Sequence, residues 1–121
     1  MSARSENEQF ERGIAHFNAR EFFEAHEAWE ELWLRAQEPQ KAFLQGIIQV
    51  AAAFHHYQRG NSNGAKSLLA AGITKLEGFS PSHGGIDLAA LLAAAHAWAD
   101  ALAEMRDPGT EELPKIWEAH T

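Results

Sequence analysis

The sequence predicts a single all-α domain of about five helices arranged in two hairpins. Three observations predict it. Apolar residues recur at helical spacing in five successive segments. The breaks between segments are short and carry the Gly, Pro and Asn residues that stop and start helices. A weak internal repeat places Tyr57 40 positions after Phe17. In both copies an aromatic ends one helix, a polar turn follows, and an alanine (Ala25, Ala65) sits early in the next, as two stacked hairpins would require.

After a polar lead, Phe10, Ile14, Ala15 and Phe17 mark a first helix of about three turns that stops near Asn18-Ala19. Asn18 to Glu21 is long enough only for a tight connection, so the second helix, Phe22 to about Ala36, should fold back on the first. Pro39 suits the first turn of a third helix running to Gln58, because its missing N–H would be unpaired there in any case. That helix is the most apolar and the barest of charge, so it should be central. Gly60 can take the left-handed position that closes it. Asn61 or Ser62 can cap a fourth helix ending near Glu77-Gly78. Residues 79–85, with Pro81 and two glycines, form the longest irregular stretch and the one candidate for a mobile lid. Asp87 caps a fifth helix, with Ile86 and Leu91 placed as a hydrophobic staple; Asp107-Pro108-Gly109 stops it. The core is expected over about residues 8–106. The tail, 107–121, should pack loosely or dock Trp117 on the helices, an exposed tryptophan being the less favoured arrangement.

Composition narrows the function. A chain of 121 residues fits one domain with a real core. Seventeen acidic against ten basic residues, a net charge of −7, argue against nucleic acid or an anionic membrane as partner. With no cysteine there is no disulfide, thiol nucleophile or Cys-ligated zinc. The N-terminus lacks the apolar run of a signal peptide, and no segment has the roughly 18 apolar residues of a membrane span. A cytoplasmic location is the default expectation.

Chemistry concentrates in Phe22 to Trp33. On a helical wheel Ala25, Trp29, Leu32, Phe22, Trp33, Phe23 and Leu34 fall in one broad arc that must be covered. His26 falls near the middle of that arc with Glu30 beside it, and Glu27 at its edge, so Glu30 is the carboxylate expected inside, paired with His26. On the third helix Gln45, Gln49 and His56 line up within about 40°. The two sets could converge on one polar pocket made of His26, Glu27, Glu30, Gln45, Gln49 and His56, able to hold a small polar ligand or, through His26 and Glu30, a divalent metal. The alternative is a buried pair that satisfies itself while the glutamines and His56 face water, the commoner outcome for such residues.

No metal motif completes itself. His26-Glu27-Ala28-Trp29-Glu30 begins like a zinc-peptidase helix but ends on Glu30 instead of histidine, and no histidine follows a glutamate at the spacing of di-iron bundles. No serine sits in a nucleophile motif, and Gly60 to Gly64 lacks the lysine of a phosphate loop. No catalytic residue and no cofactor is therefore assigned. His83, before Gly84-Gly85, could present its ring to a ligand next to a helix N-terminus, an exposed loop histidine being the commoner outcome; Glu24, Glu27 and Glu31 read as a solvated ridge or a docking surface for a basic partner.

Several blocks in order, from about Phe17 to Leu92, carry a family likeness: Phe23-x-Ala25-His26-Glu27-x-Trp29-Glu30-x-x-Trp33, Phe43-Leu44-Gln45-Gly46-Ile47-Ile48-Gln49, Ala51-Ala52-Ala53-Phe54-His55-His56 and Arg59-Gly60-Asn61-x-x-Gly64-Ala65. They resemble a small bacterial and archaeal family catalogued as a domain of unknown function, number three hundred and nine. The resemblance implies orthogonally packed helical hairpins and implies no activity. Its signature positions map onto His26, Glu27, Trp29, Glu30, Gln45, Gly46 and Gln49.

The leading functional expectation is a non-catalytic module that binds a partner through a groove, as helical-repeat folds do. Its rival is an enzyme or a binder of a small molecule or metal centred on His26 and Glu30. A homo-oligomer that completes the burial of the third helix is compatible with either.

Overall fold

A computed structural model of the chain describes residues 3–106 and 113–119. Five helices follow one another: α1 (Ala3–Asn18), α2 (Phe22–Arg35), α3 (Gln40–Gln58), α4 (Ser62–Glu77) and α5 (Leu88–Ala103), with a small hairpin of β1 (Ser82–His83) and β2 (Ile86–Asp87) before the last. The fold is all-α, and each helix packs chiefly on its neighbour in the chain. α1 begins well before the first apolar residue that marks it, because its first turns are polar and carry the Arg4–Glu8 pair four residues apart, a helical contact that apolar periodicity cannot register.

The two hairpin turns repeat bond for bond. After α1, Arg20 takes φ 67°, its N–H donates to Phe17 O, and Glu21 N–H reaches back to His16 O at 2.8 Å. After α3, Gly60 takes φ 81°, donates to Tyr57 O, and Asn61 N–H reaches His56 O at 2.9 Å. Both are left-handed helix terminations that satisfy the last carbonyls. Even the side chains correspond: His16 Nδ1 meets Glu21 Oε1 at 2.8 Å and His56 Nδ1 meets Asn61 Nδ2 at 3.1 Å. Asn61 caps α4 through Gly64 N–H, and Asp87 caps α5 through Ala90 N–H.

Trp29 is wholly buried and its ring lies against α1. Its Nε1 donates to Phe10 O at 3.1 Å. The ring occupies the space a side chain at position 13 would need: a Cβ on Gly13 would stand 2.1 Å from Trp29 Nε1. Gln9, the buried polar residue of the core, donates from Nε2 to Ala28 O at 2.8 Å and Glu31 Oε2 at 2.7 Å. Phe17, Phe22, Phe54 and Trp98 continue the aromatic core across α3 into α5.

Two segments differ from expectation. Residues 82–87 are a tight hairpin, not an irregular lid, because Gly84 and Gly85 both take positive φ, 62° and 77°, as a two-residue turn matching strand twist demands. His83 fastens this hairpin to α3 through Gln40 Oε1 at 2.9 Å, its ring between Phe43 and Phe79. The second segment is the tail. Residues 107–112 lie outside the described residues, but 113–119 do not pack loosely and do not dock through the tryptophan. Leu113 and Ile116 are buried while Trp117 stays 58% exposed. Ile116, whose main chain is paired to Asn18, takes the inward position and Trp117 beside it faces out.

Gly13→Ala should destabilise the chain by about 1–3 kcal/mol or more through overpacking against Trp29. Gly60→Ala, with nothing within 4 Å of the new methyl, should cost about 1 kcal/mol through its left-handed backbone alone. Urea unfolding of the two variants reads the difference.

Candidate functional site

α2 and α3 lie side by side in opposite directions. Phe23 meets His55 at one end, centroids 5.2 Å apart, and Lys41 Nζ stands 4.5 Å over the Trp33 ring at the other. Between these contacts lie His26 and Glu30 on α2, and Gln45 and Gln49 on α3, both glutamines half-buried. Of the six candidate residues the structure brings His26 and Glu30 into direct contact.

His26 and Glu30 do pair, Nε2 donating to Oε2 at 3.0 Å, but half in solvent: their side chains are 28% and 48% exposed. The expected burial of Glu30 is corrected. The cause is the width of the apolar arc. Phe23 and Leu34 are exposed at 46% and 64%, so the covered stripe is the narrower one of Phe22, Ala25, Trp29 and Leu32, and His26 falls on its edge. Glu27 points to solvent.

His56 does not join the α2–α3 seam, since its ring is held at the α3–α4 turn by Asn61. His55 takes that place, against Phe23 and within electrostatic reach of His26. Its imidazole is held below the ordinary histidine range, first by burial, then by the like charges of Arg59, His56 and His26, with Glu24 opposing. The adjacent pair His55-His56 flagged the position, and the register of the α2–α3 contact decides which ring enters.

Three polar atoms of this region are buried without a hydrogen-bond partner among the described residues: His26 Nδ1, Trp33 Nε1 and Gln49 Oε1. Native proteins leave few such groups unpaired. Three clefts, of about 460, 560 and 350 Å³, are lined by other residues. Among the described residues no three His, Asp or Glu side chains gather as a metal-binding group. No helix among them is long and apolar enough to cross a membrane.

Fold and seam together define a small all-helical domain with a half-open polar surface between its second and third helices. Residues 10–68 match the family described as Domain of unknown function (DUF309). The matched residues hold all of α2 and α3, and so the whole seam. A relative, "Uncharacterized protein YpuF" of Bacillus subtilis (strain 168), is 39% identical over 66 residues, 53% of this chain and 38% of the relative. The chain thus spans well under half of that relative's length. Neither description names a reaction.

Two outcomes follow from the geometry. Glu30→Gln should lower stability by less than about 1 kcal/mol, as for exposed pairs four residues apart, and far less than loss of a buried pair would; thermal unfolding checks it. His55 favours its neutral form in the fold, so the unfolded chain binds the proton more readily. Stability from this group is full above the ordinary imidazole range and lost as pH falls through it. His55→Gln should flatten that part of the stability–pH curve, read by urea unfolding between about pH 7.5 and 5.

Proposed function

We propose that the chain is a non-catalytic partner-binding module that docks a basic, partly apolar protein segment on the α2–α3 face. The observation that carries this reading is the seam itself. Side-chain atoms of His26, Trp33 and Gln49 are withdrawn from water yet unpaired, and an incoming chain can offer them hydrogen bonds that the monomer does not.

The chemistry of the partner follows from what surrounds those atoms. Phe23 and Leu34 offer apolar contact near the two ends of the outer face of α2. Glu24, Glu27, Glu30 and Glu31 lie exposed on the same helix, and the chain as a whole carries −7. Such a field attracts Lys and Arg and repels nucleic acid. An open seam suits a macromolecular surface better than a small ligand, which needs most of its own area enclosed. The His26–Glu30 pair then positions an imidazole for hydrogen bonding instead of serving proton transfer.

Phe23→Ala and Glu27→Lys should each weaken binding to a captured basic partner by at least about tenfold, or 1.4 kcal/mol, with thermal stability unchanged. His96→Ala, on the exposed face of α5, should leave binding intact. Equal binding by all three variants overturns the assignment of this face.

A further inference from the structure

The segment 113–119 is attached by bonds of a different kind from those that join the helices. Ile116 gives both main-chain groups to one side chain: its N–H donates to Asn18 Oδ1 at 2.7 Å, and its carbonyl accepts from Asn18 Nδ2 at 2.9 Å. A carboxamide at the end of α1 thus pairs with the chain as a neighbouring strand would. On the opposite edge Trp117 O accepts from Asp87 N–H at 2.7 Å, and Ala119 N–H donates to Gly85 O at 3.0 Å, with Ile86 bridged to Glu118. The segment lies between β2 and Asn18, held by one isolated bridge and these main-chain bonds.

Specificity in the slot it fills comes from two anchors. Leu113 and Ile116 are 7% and 3% exposed, and Pro114 between them is buried, whereas Lys115, Trp117 and Glu118 face outward. The polar contacts that hold the segment use its main chain, which every sequence possesses. Beside the segment, between α1 and the hairpin, a cleft of about 560 Å³ remains, walled by Phe10, Ile14 and Ile86 as well as by the segment itself. Main-chain pairing on an edge, with apolar side chains buried beside it, is the chemistry of strand addition.

We infer that this slot is a binding site for an extended peptide, closed in the resting chain by the C-terminal strap, and that its ligand is a partner segment with the strap's pattern of an apolar residue, proline, any residue and a β-branched apolar residue. The slot shares no side chain with the α2–α3 seam, and the inference stands independently of the function proposed for that seam.

Two measurements on the full chain test it. In native-state hydrogen exchange the amides of Asp87, Ile116 and Ala119 should exchange together, about 100-fold or more faster than Val50 and Phe54 in α3, as a unit that opens locally does; exchange at the α3 rate overturns the strap. Next, Ile116→Asp removes the strap's own anchor from the full chain. A labelled synthetic peptide of residues 111–121 should bind this variant about tenfold or more tighter than the unaltered chain, whose strap competes, and the added substitution Asn18→Ala should abolish binding. A folded Ile116→Asp protein that ignores the peptide, binding indifferent to Asn18→Ala, or global unfolding of Ile116→Asp each overturns the inference, the last because the strap would then be part of the core.

Discussion

The contact between Trp29 and α1 orients everything that follows. A fully buried indole lies over Gly13 and donates its N–H to Phe10 O, so α2 is fixed both in depth and in rotation about its axis. Truncating such a side chain typically costs about 3–5 kcal/mol. Rotation is the larger consequence. With Trp29 inward, Ala25 and Leu32 are drawn in with it and Glu24, Glu27 and Glu31 are sent outward. His26 is left at the boundary, where its Nε2 reaches Glu30 and its Nδ1 turns toward protein. Gln9 adds a second hold from α1 on the opposite flank, through Ala28 O and Glu31.

Much of the helical architecture was legible because it rests on local signals. Asn61 and Asp87 cap the helices they were expected to cap, and the repeat of 40 positions appears as the same turn in both hairpins. Less was legible wherever a tertiary neighbour decides. An apolar arc on α2 includes Phe23 and Leu34 whether or not anything covers them, so His26 and Glu30 seemed central and buried when they are marginal and half exposed. The choice between His55 and His56 depends on the register between two helices, which neither helix states. The attachment of Ile116 to Asn18 spans almost the whole chain and uses a carboxamide as a strand edge, a pairing no local pattern announces. Trp117 misled for a related reason: size favours burial on average, but pairing to Asn18 placed Ile116 inside.

The seam is also where the fold gives up stability. A buried polar atom left unpaired costs about 1–3 kcal/mol, and His26, Trp33 and Gln49 each contribute one. The neighbouring core satisfies such groups, since Trp29 Nε1 and Gln9 Nε2 both find acceptors. Trp33 differs from Trp29 only in facing α3 near the surface, where Lys41 sits over its ring and no acceptor meets its N–H. Among the described residues, His26 and Trp33 on α2 thus combine burial without pairing with the exposed Phe23 and Leu34 of the same helix.

The seam and the strap are fixed by different physics, and this separates their energetics. Side-chain packing around Trp29 sets the seam, and its geometry persists for as long as α1 and α2 remain together. The strap is set by main-chain pairing to Asn18, Gly85 and Asp87 plus two apolar anchors. Asn18 lies at the last position of α1, beyond Gln9, Phe10 and Gly13, which bear on α2. Removing the strap therefore strips partners from the end of α1 and from the hairpin and widens the cleft beside Phe10. The hydrogen bonds that hold α2 in rotation, from Trp29 to Phe10 O and from Gln9 to Ala28 O, involve none of the strap. An opening at the strap leaves His26 and Glu30 where they are, so the docking proposed for the α2–α3 face and the peptide site proposed under the strap need not draw on the same stability.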